Sequence, residues 1–292
     1  MAQGEGARPC GRGAGGGQIA LAADIRHGAA QVLAEGDPSA KPARAREVAR
    51  AWRAGDIAAT PCGAPGLAPD RPARPERPEL KPPGQVPRRR LGSVAGRVAL
   101  LHAVAHIEFN AIDLAFDMVA RFSGDARFSK DERHAFITDW IGVGDDEARH
   151  FLLLRERLAV LGGDYGDLAA HDGLWSAAEA TAGDLAGRLA VAPMVLEARG
   201  LDVTPGMIER LRSAGDLDSA AALTVIYTEE VAHVAAGRRW FETVCKADGE
   251  DPEARFQALV RRYFRGDLKR PFNTPARDRA GLPQDWYEPL AG

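Results

Sequence analysis

Glu147-Ala148-Arg149-His150 and Glu230-Val231-Ala232-His233 are two copies of one pattern, Glu-x-x-His, each inside a stretch with the apolar spacing of an amphipathic helix. Successive helical residues turn by about 100°, so positions i and i+3 share a face, and each pair aims a carboxylate and an imidazole the same way. Upstream of each pair, one more glutamate interrupts an apolar stripe. Glu108 stands 39 residues before Glu147 (108 to 147), and Glu197 stands 33 before Glu230 (197 to 230). Either gap accommodates a helix, a turn and part of a second helix. Four carboxylates and two histidines converging between four packed helices make a site for two transition-metal ions.

Every proposed ligand occupies a position where a core residue belongs. Leu101, Val104, Ala111 and Ile112 flank Glu108, while Trp140, Val143, Phe151 and Leu154 flank Glu147 and His150. Leu189, Ala190, Met194 and Leu201 surround Glu197, and Leu223, Ile226 and Val234 surround Glu230 and His233. A lone carboxylate in such a stripe is costly to desolvate unless it is paired or bound to a cation. The donor set is oxygen-rich with two imidazoles and no thiolate, which suits Fe, or Mn as the second choice, rather than structural zinc. Glu147 and Glu230 are the expected bridging carboxylates, with one histidine on each ion. Asp146 and Glu229 directly precede the ligating glutamates, and either is placed to accept a histidine N–H from an adjacent helix, with Arg149 paired to one of them. A solvent-facing Glu229 is the competing reading, because it lies about 100° from Glu230. Tyr227, one turn before Glu230, reads either as a phenol close to the metals or as a core residue with a hydrogen-bonded hydroxyl. His102 and His106 share a helix with Glu108 but lie about 240° and 200° around it, so they read as structural or interface histidines.

The chain outside the motifs is all-α in pattern. Residues 94–122, 130–161, 174–200 and 218–246 are the four long helical stretches, with Ser129 as an N-cap, Gly162-Gly163 closing the second and Gly200 ending the third. Pro193 predicts a kink one turn before Glu197. The longer connection between Leu161 and Leu174 suits a crossover between two helical hairpins. A shorter amphipathic helix spans 252–264. The resulting organisation is a disordered tail over 1–17, which holds seven glycines, a helical extension over 18–60, a proline-rich linker over 61–90, a bundle over 91–246, and a C-terminal helix and extended arm over 247–292. The linker carries nine prolines between 61 and 87, excluding regular structure. Its Arg71, Arg74, Arg77 and Arg88-Arg89-Arg90 make it basic, either as a solvated arm wrapping the bundle or as an RNA or phosphate contact.

With 292 residues, 45% hydrophobic and 27% charged, the chain can bury a large core, and a formal net charge of −3 gives no global argument for nucleic acid or an anionic membrane. Cys10, Cys62 and Cys245 show no CxxC pairing, no secretory leader is visible, and no run of about 18 apolar residues suggests a membrane span. A cytoplasmic protein is the expectation.

The Asp146-Glu147-Ala148-Arg149-His150 string resembles the segment found in rubrerythrin-like and tRNA-hydroxylase-like members of the ferritin-like superfamily, and the resemblance covers about 91–246. More narrowly, His102-Ala103-Val104-Ala105-His106-Ile107-Glu108 and Pro271-Phe272-Asn273 resemble an uncharacterised bacterial family of ferritin-like proteins with an N-terminal helical extension. The resemblance implies a ferritin-like four-helix bundle and a dimetal site. Glu108, Glu147, His150, Glu197, Glu230 and His233 match the superfamily ligands without substitution. Two functions follow as expectations. One is a di-iron oxidase or hydroxylase activating O₂ or peroxide, acting on a small molecule or on tRNA, in a chain that could form a homodimer. The other is iron oxidation, storage or sequestration without an organic substrate. A metal-free scaffold is the bland alternative.

Overall fold

A computed structural model describes residues 24–82, 85 and 92–292, and the protein there is all-α. No strand forms among the described residues; two isolated bridges, Leu80 with Ala170 and Leu268 with Ala291, are the only extended pairings. The glycine-rich start, Cys10, the expected helical residues Ile19 and Leu21, and Arg88-Arg89-Arg90 lie outside the described residues.

Helices α3 (Val94–Phe122) and α4 (Lys130–Val160) pack along each other as a hairpin joined by a short loop. Both starts are chemically specified. The Ser93 hydroxyl accepts the Gly96 N–H, and Ser129 forms a capping box with Glu132. On the far side α8 (Leu217–Asp248) begins at Asp216, which accepts the Ser219 N–H, and ends at Gly249 in the left-handed conformation at φ 71°.

The third segment differs from a single helix over 174–200. It comprises α5 (Gly173–Ala180), α6 (Leu185–Val191), a π-helical turn (Ala192–Glu197) and α7 (Ala198–Ser213), which packs along α8. Pro193 lacks the N–H that would continue α6, and the chain widens to the π turn at that point. The widened turn fits because α8 offers Gly237, where a Cβ would sit 2.4 Å from the Pro193 ring. Gly200 does not end the helix, since the chain stays helical to Ser213. Pro205 also lies inside α7, and its missing N–H would leave the Leu201 carbonyl without a helical partner. Asn273, from the C-terminal segment, donates its side-chain amide to that carbonyl at 2.9 Å.

The N-terminal extension is docked rather than free. Helix α1 (Ile25–Ala34) lies on α3, and α2 (Ala40–Ala54) lies on α4. A fully buried ion pair joins α2 to α3, Lys41 Nζ to Asp113 Oδ1 at 2.5 Å, and Arg74 of the proline-rich arm reaches the other Asp113 oxygen at 2.9 Å. One turn on, Asp117 is clasped by Arg188 of α6 and by Arg121 at 2.8 Å. Two carboxylates four residues apart on α3 therefore hold three layers. The arm itself follows the bundle: the N–H of Gly63 donates to the Gly124 carbonyl, that of Leu67 to Ala120 and that of Ala73 to Leu33.

By length and composition α3 is apolar enough to cross a membrane, although no span was expected from the sequence. About 72% of its apolar window is buried inside the protein, which is the condition of a core helix.

Helices α9 (Pro252–Tyr263), α10 (Thr274–Arg279) and α11 (Gln284–Tyr287) complete the described chain, with α9 against α6 and α10 against α7 and α8. Breaking a buried ion pair from one side leaves an uncompensated charge, at about 3–5 kcal/mol. Asp113→Ala should therefore lower the unfolding free energy in urea by that order and expose α2 to proteolysis. An unchanged unfolding midpoint would show that the extension does not depend on this pair.

Candidate metal centre

Glu108 comes from the middle of α3, Glu147 and His150 from α4, Glu197 from the last residue of the π turn, and Glu230 and His233 from α8. Glu108, Glu147, His150 and Glu230 each present one ligand atom, all within 4.8 Å of one another. His233 joins them: its Nδ1 lies 3.0 Å from Glu147 Oε1 and 3.4 Å from Glu230 Oε2. Glu197 approaches from the third side with a buried Oε2, but no hydrogen bond or ion pair links it to the other five. Side chains from every long segment thus converge on one buried volume that could hold a metal ion.

Both imidazoles turn Nδ1 inward and Nε2 outward. His150 Nδ1 lies 3.3 Å from Glu108, 3.4 Å from Glu147 Oε2 and 3.8 Å from Glu230 Oε1. Glu147 and Glu230 therefore each send one oxygen toward His150 and the other toward His233. Outside, His150 Nε2 meets Glu229 Oε2 at 2.6 Å, and His233 Nε2 meets Asp146 Oδ2 at 3.4 Å. The carboxylates are exchanged between helices: α8 orients the histidine of α4, and α4 orients the histidine of α8. Arg149 donates to both Asp146, at 3.0 Å, and Glu229. The sequence left open which of the two acids would take a histidine, and each takes one. An outer carboxylate holding Nε2–H fixes the tautomer that leaves Nδ1 free to ligate.

Electrostatics sharpen the point. Burial, and then the Glu147 charge, hold Glu108 well above the usual carboxylate range. Burial followed by the charges of Glu230 and Glu147 does the same to Glu197, and burial with Glu147 raises Glu230. Glu147 moves the other way: burial alone would raise it, but the two imidazoles beside it outweigh burial and hold it ionised. Burial opposes charging of the histidines, yet Glu108 and Glu147 push His150 up to about 11, and Glu230, Asp146 and Glu147 raise His233 well above its ordinary value. Against that dense charge, Glu147 Oε1 and Oε2, Glu197 Oε2 and His233 Nδ1 have no aligned hydrogen-bond partner. Buried polar atoms are almost always paired. Atoms that approach to 3.0 Å without forming a hydrogen bond fit a common cation better than one another.

The remaining residues singled out in the sequence lie elsewhere. Tyr227 is half-buried, and its hydroxyl accepts from Asn273 at 3.0 Å and Arg279 at 3.2 Å, so it is bonded to the C-terminal segment and not to the cluster. His102 and His106 are buried and hold the loop after α4. His102 Nε2 accepts the Gly166 N–H at 3.0 Å, and His106 lies between the Tyr165 hydroxyl and the His171 carbonyl, each at 3.0 Å. Burial lowers both, His106 to about 4. Asn273 and the double role of Arg149 escape sequence reasoning, because each depends on contacts made across helices.

Residues 34–288 match the family described as "Protein of unknown function (DUF455)". The chain belongs to that family. It is also 43% identical over 220 residues, 74% of this chain and 76% of the relative, to an "Uncharacterized protein" of Haemophilus influenzae. No solved structure matches the chain.

Ligating atoms must shed their protons before they bind a metal. With His150 pushed up to about 11, and with His233, Glu108 and Glu197 raised as well, metal loading at pH 7 should release protons. Calorimetry in buffers of different ionisation enthalpy reads this directly. A binding enthalpy independent of the buffer would contradict the charge states assigned here.

Proposed function

We propose that α3, α4, the α6–α7 segment and α8 form a ferritin-like four-helix bundle whose six carboxylate and imidazole side chains hold two iron ions, manganese being the second choice. We read the protein as an oxidase or hydroxylase that activates O₂ or peroxide. The observation that supports this reading is the shared orientation of Glu147 and Glu230, each reaching toward both histidines. Glu147 and Glu230, together with His150 and His233, would hold the ions between α4 and α8.

Two bound iron ions would supply a paired redox centre for reduction of O₂ or peroxide. The rest of the work falls to the chain. Glu229 and Asp146 hold the histidine rings in register, and Arg149 ties the two outer acids together. Phe109, Phe151, Met194 and Val234, all fully buried, belong to the hydrophobic core in which the cluster's helices pack. Glu197 is carried on a π turn, a local geometry frequent at functional sites, and can adjust without moving a whole helix.

Iron storage in a cage is the second reading. It is less well supported, because α1, α2 and the proline-rich arm cover α3 and α4, faces that repeated lateral packing of bundles would need. A tRNA substrate also loses part of its basis. Arg71 is paired with Glu179 and Asp172, and Arg74 with Asp113, so two cations of the basic arm are neutralised internally.

Anaerobic Fe(II) loading followed by exposure to O₂ tests the proposal. Two ions should bind per chain, O₂ should be consumed on mixing, and Glu147→Ala should abolish both. Fewer than one ion bound to the wild type would end the metal reading. A very large spherical oligomer accumulating iron far beyond two per chain would favour storage over the enzyme.

A further inference from the structure

The face of the π turn turned away from the metal cluster opens onto a cavity of about 560 Å³. That volume lies inside the range of about 300–1,000 Å³ typical of small-molecule sites. Val195, Leu196 and Arg199 form one side, and the chain after α9 forms the other, through Phe264, Leu268 and Phe272. Val195 and Arg199 each stand two residues from Glu197, close to half a turn away, so the cavity and the cluster lie on opposite sides of this segment.

The lining has a distinct chemistry. Leu196, Phe264 and Phe272 are only half-buried, and all three line this space. Arg277 clamps Phe272, its guanidinium carbon 4.8 Å from the ring centroid, and the wall is therefore preformed. Four cations, Arg199, Arg265, Lys269 and Arg277, stand against two anions, Asp202 and Asp267, a surplus of two positive charges. Asp202 is already taken: Arg277 reaches it through Nε at 2.9 Å and Nη2 at 2.7 Å. Arg199 donates to the Lys269 carbonyl at 2.7 Å. Arg265 and Lys269 are exposed and form no ion pair among the described residues. Arg277 is 2% exposed, and its Nη1 has no hydrogen-bond partner.

We propose that this cavity is a second ligand site, separate from the metal centre, for an organic anion with an apolar body: a carboxylate of the fatty-acyl type. The aliphatic part lies along Leu196, Phe264 and Phe272. The carboxylate meets Arg265 and Lys269 at the mouth, where planar and point-charge donors both match an anionic head. The site depends neither on which metals the cluster holds nor on the reaction they serve.

The test is calorimetric titration of the full-length protein with dodecanoate below its micelle concentration, beside dodecan-1-ol and dodecyltrimethylammonium. Dodecanoate should saturate one site per chain and bind at least tenfold more tightly than either analogue. The Arg265→Gln/Lys269→Gln double variant, which disturbs no ion pair, should weaken it about tenfold, and Val195→Trp, which fills the cavity, should abolish it. Chelator-stripped and metal-loaded protein should bind it equally. The proposal is overturned if dodecanoate does not saturate, if the cationic analogue binds as well, or if the double variant binds unchanged. Binding that requires the metals would place the ligand in the cluster and overturn the separate site too.

Discussion

Four carboxylates set in an apolar core cannot be balanced by two imidazoles. Even with both histidines protonated, Glu108, Glu147, Glu197 and Glu230 would leave two negative charges in a region where Glu147 is 1% exposed and His150 fully buried. Burying unbalanced charge is among the most expensive things a fold can do. Protons retained by Glu108 and Glu197 reduce the imbalance, but they leave acceptor and donor atoms unsatisfied. Divalent cations, if bound, would address both problems at once, and the inward Nδ1 atoms and divided carboxylates suit a metal ion. The exchange of Asp146 and Glu229 between α4 and α8 then becomes intelligible. It ties the two Glu-x-x-His helices to each other through the very groups that must be held in register.

A second set of buried charges has a different purpose. Asp113 and Asp117 lie on α3 beyond Glu108, and each is matched by two basic side chains: Lys41 and Arg74 for one, Arg188 and Arg121 for the other. These groups are compensated within the protein, and they fasten α2, the proline-rich arm and α6 to the central helix. Helix α3 thus carries two kinds of carboxylate: Glu108, in a group that could hold a metal ion, and Asp113 and Asp117, whose charges fasten the layers together. The difference lies in what surrounds each residue and not in its type.

Much of this was legible from the amino-acid order. Helices α3, α4, α8 and α9 end within about two residues of where caps and apolar spacing put them, because Ser93, Ser129, Asp216 and Gly249 act locally. The six candidate residues stand out because the Glu-x-x-His pattern repeats, and the periodicity of α3 turns His102 and His106 away from Glu108, in keeping with their bonds to Gly166, Tyr165 and His171. The third helical segment was misread for a physical reason. Pro193 signals a break, but the π turn is accommodated by Gly237, 44 residues away (193 to 237), and Pro205 is tolerated because Asn273 satisfies the Leu201 carbonyl. Gly200 was read as a terminator, whereas its backbone stays helical. Docking of the N-terminal extension was likewise out of reach, since the Lys41–Asp113 pair joins residues 72 apart. Local chemistry sets where helices begin and end; these tertiary compensations decide where the usual rules are suspended.

The proposed pair of metal ions and a buried network of carboxylic acids differ in what occupies the space between the histidines. Anomalous diffraction from crystals grown with iron or manganese distinguishes them most directly. The account requires two peaks, one beside His150 Nδ1 and one beside His233 Nδ1, both within ligating distance of Glu147 and Glu230. A single peak, or none with Glu147 and Glu230 hydrogen-bonded to the histidines, would contradict it.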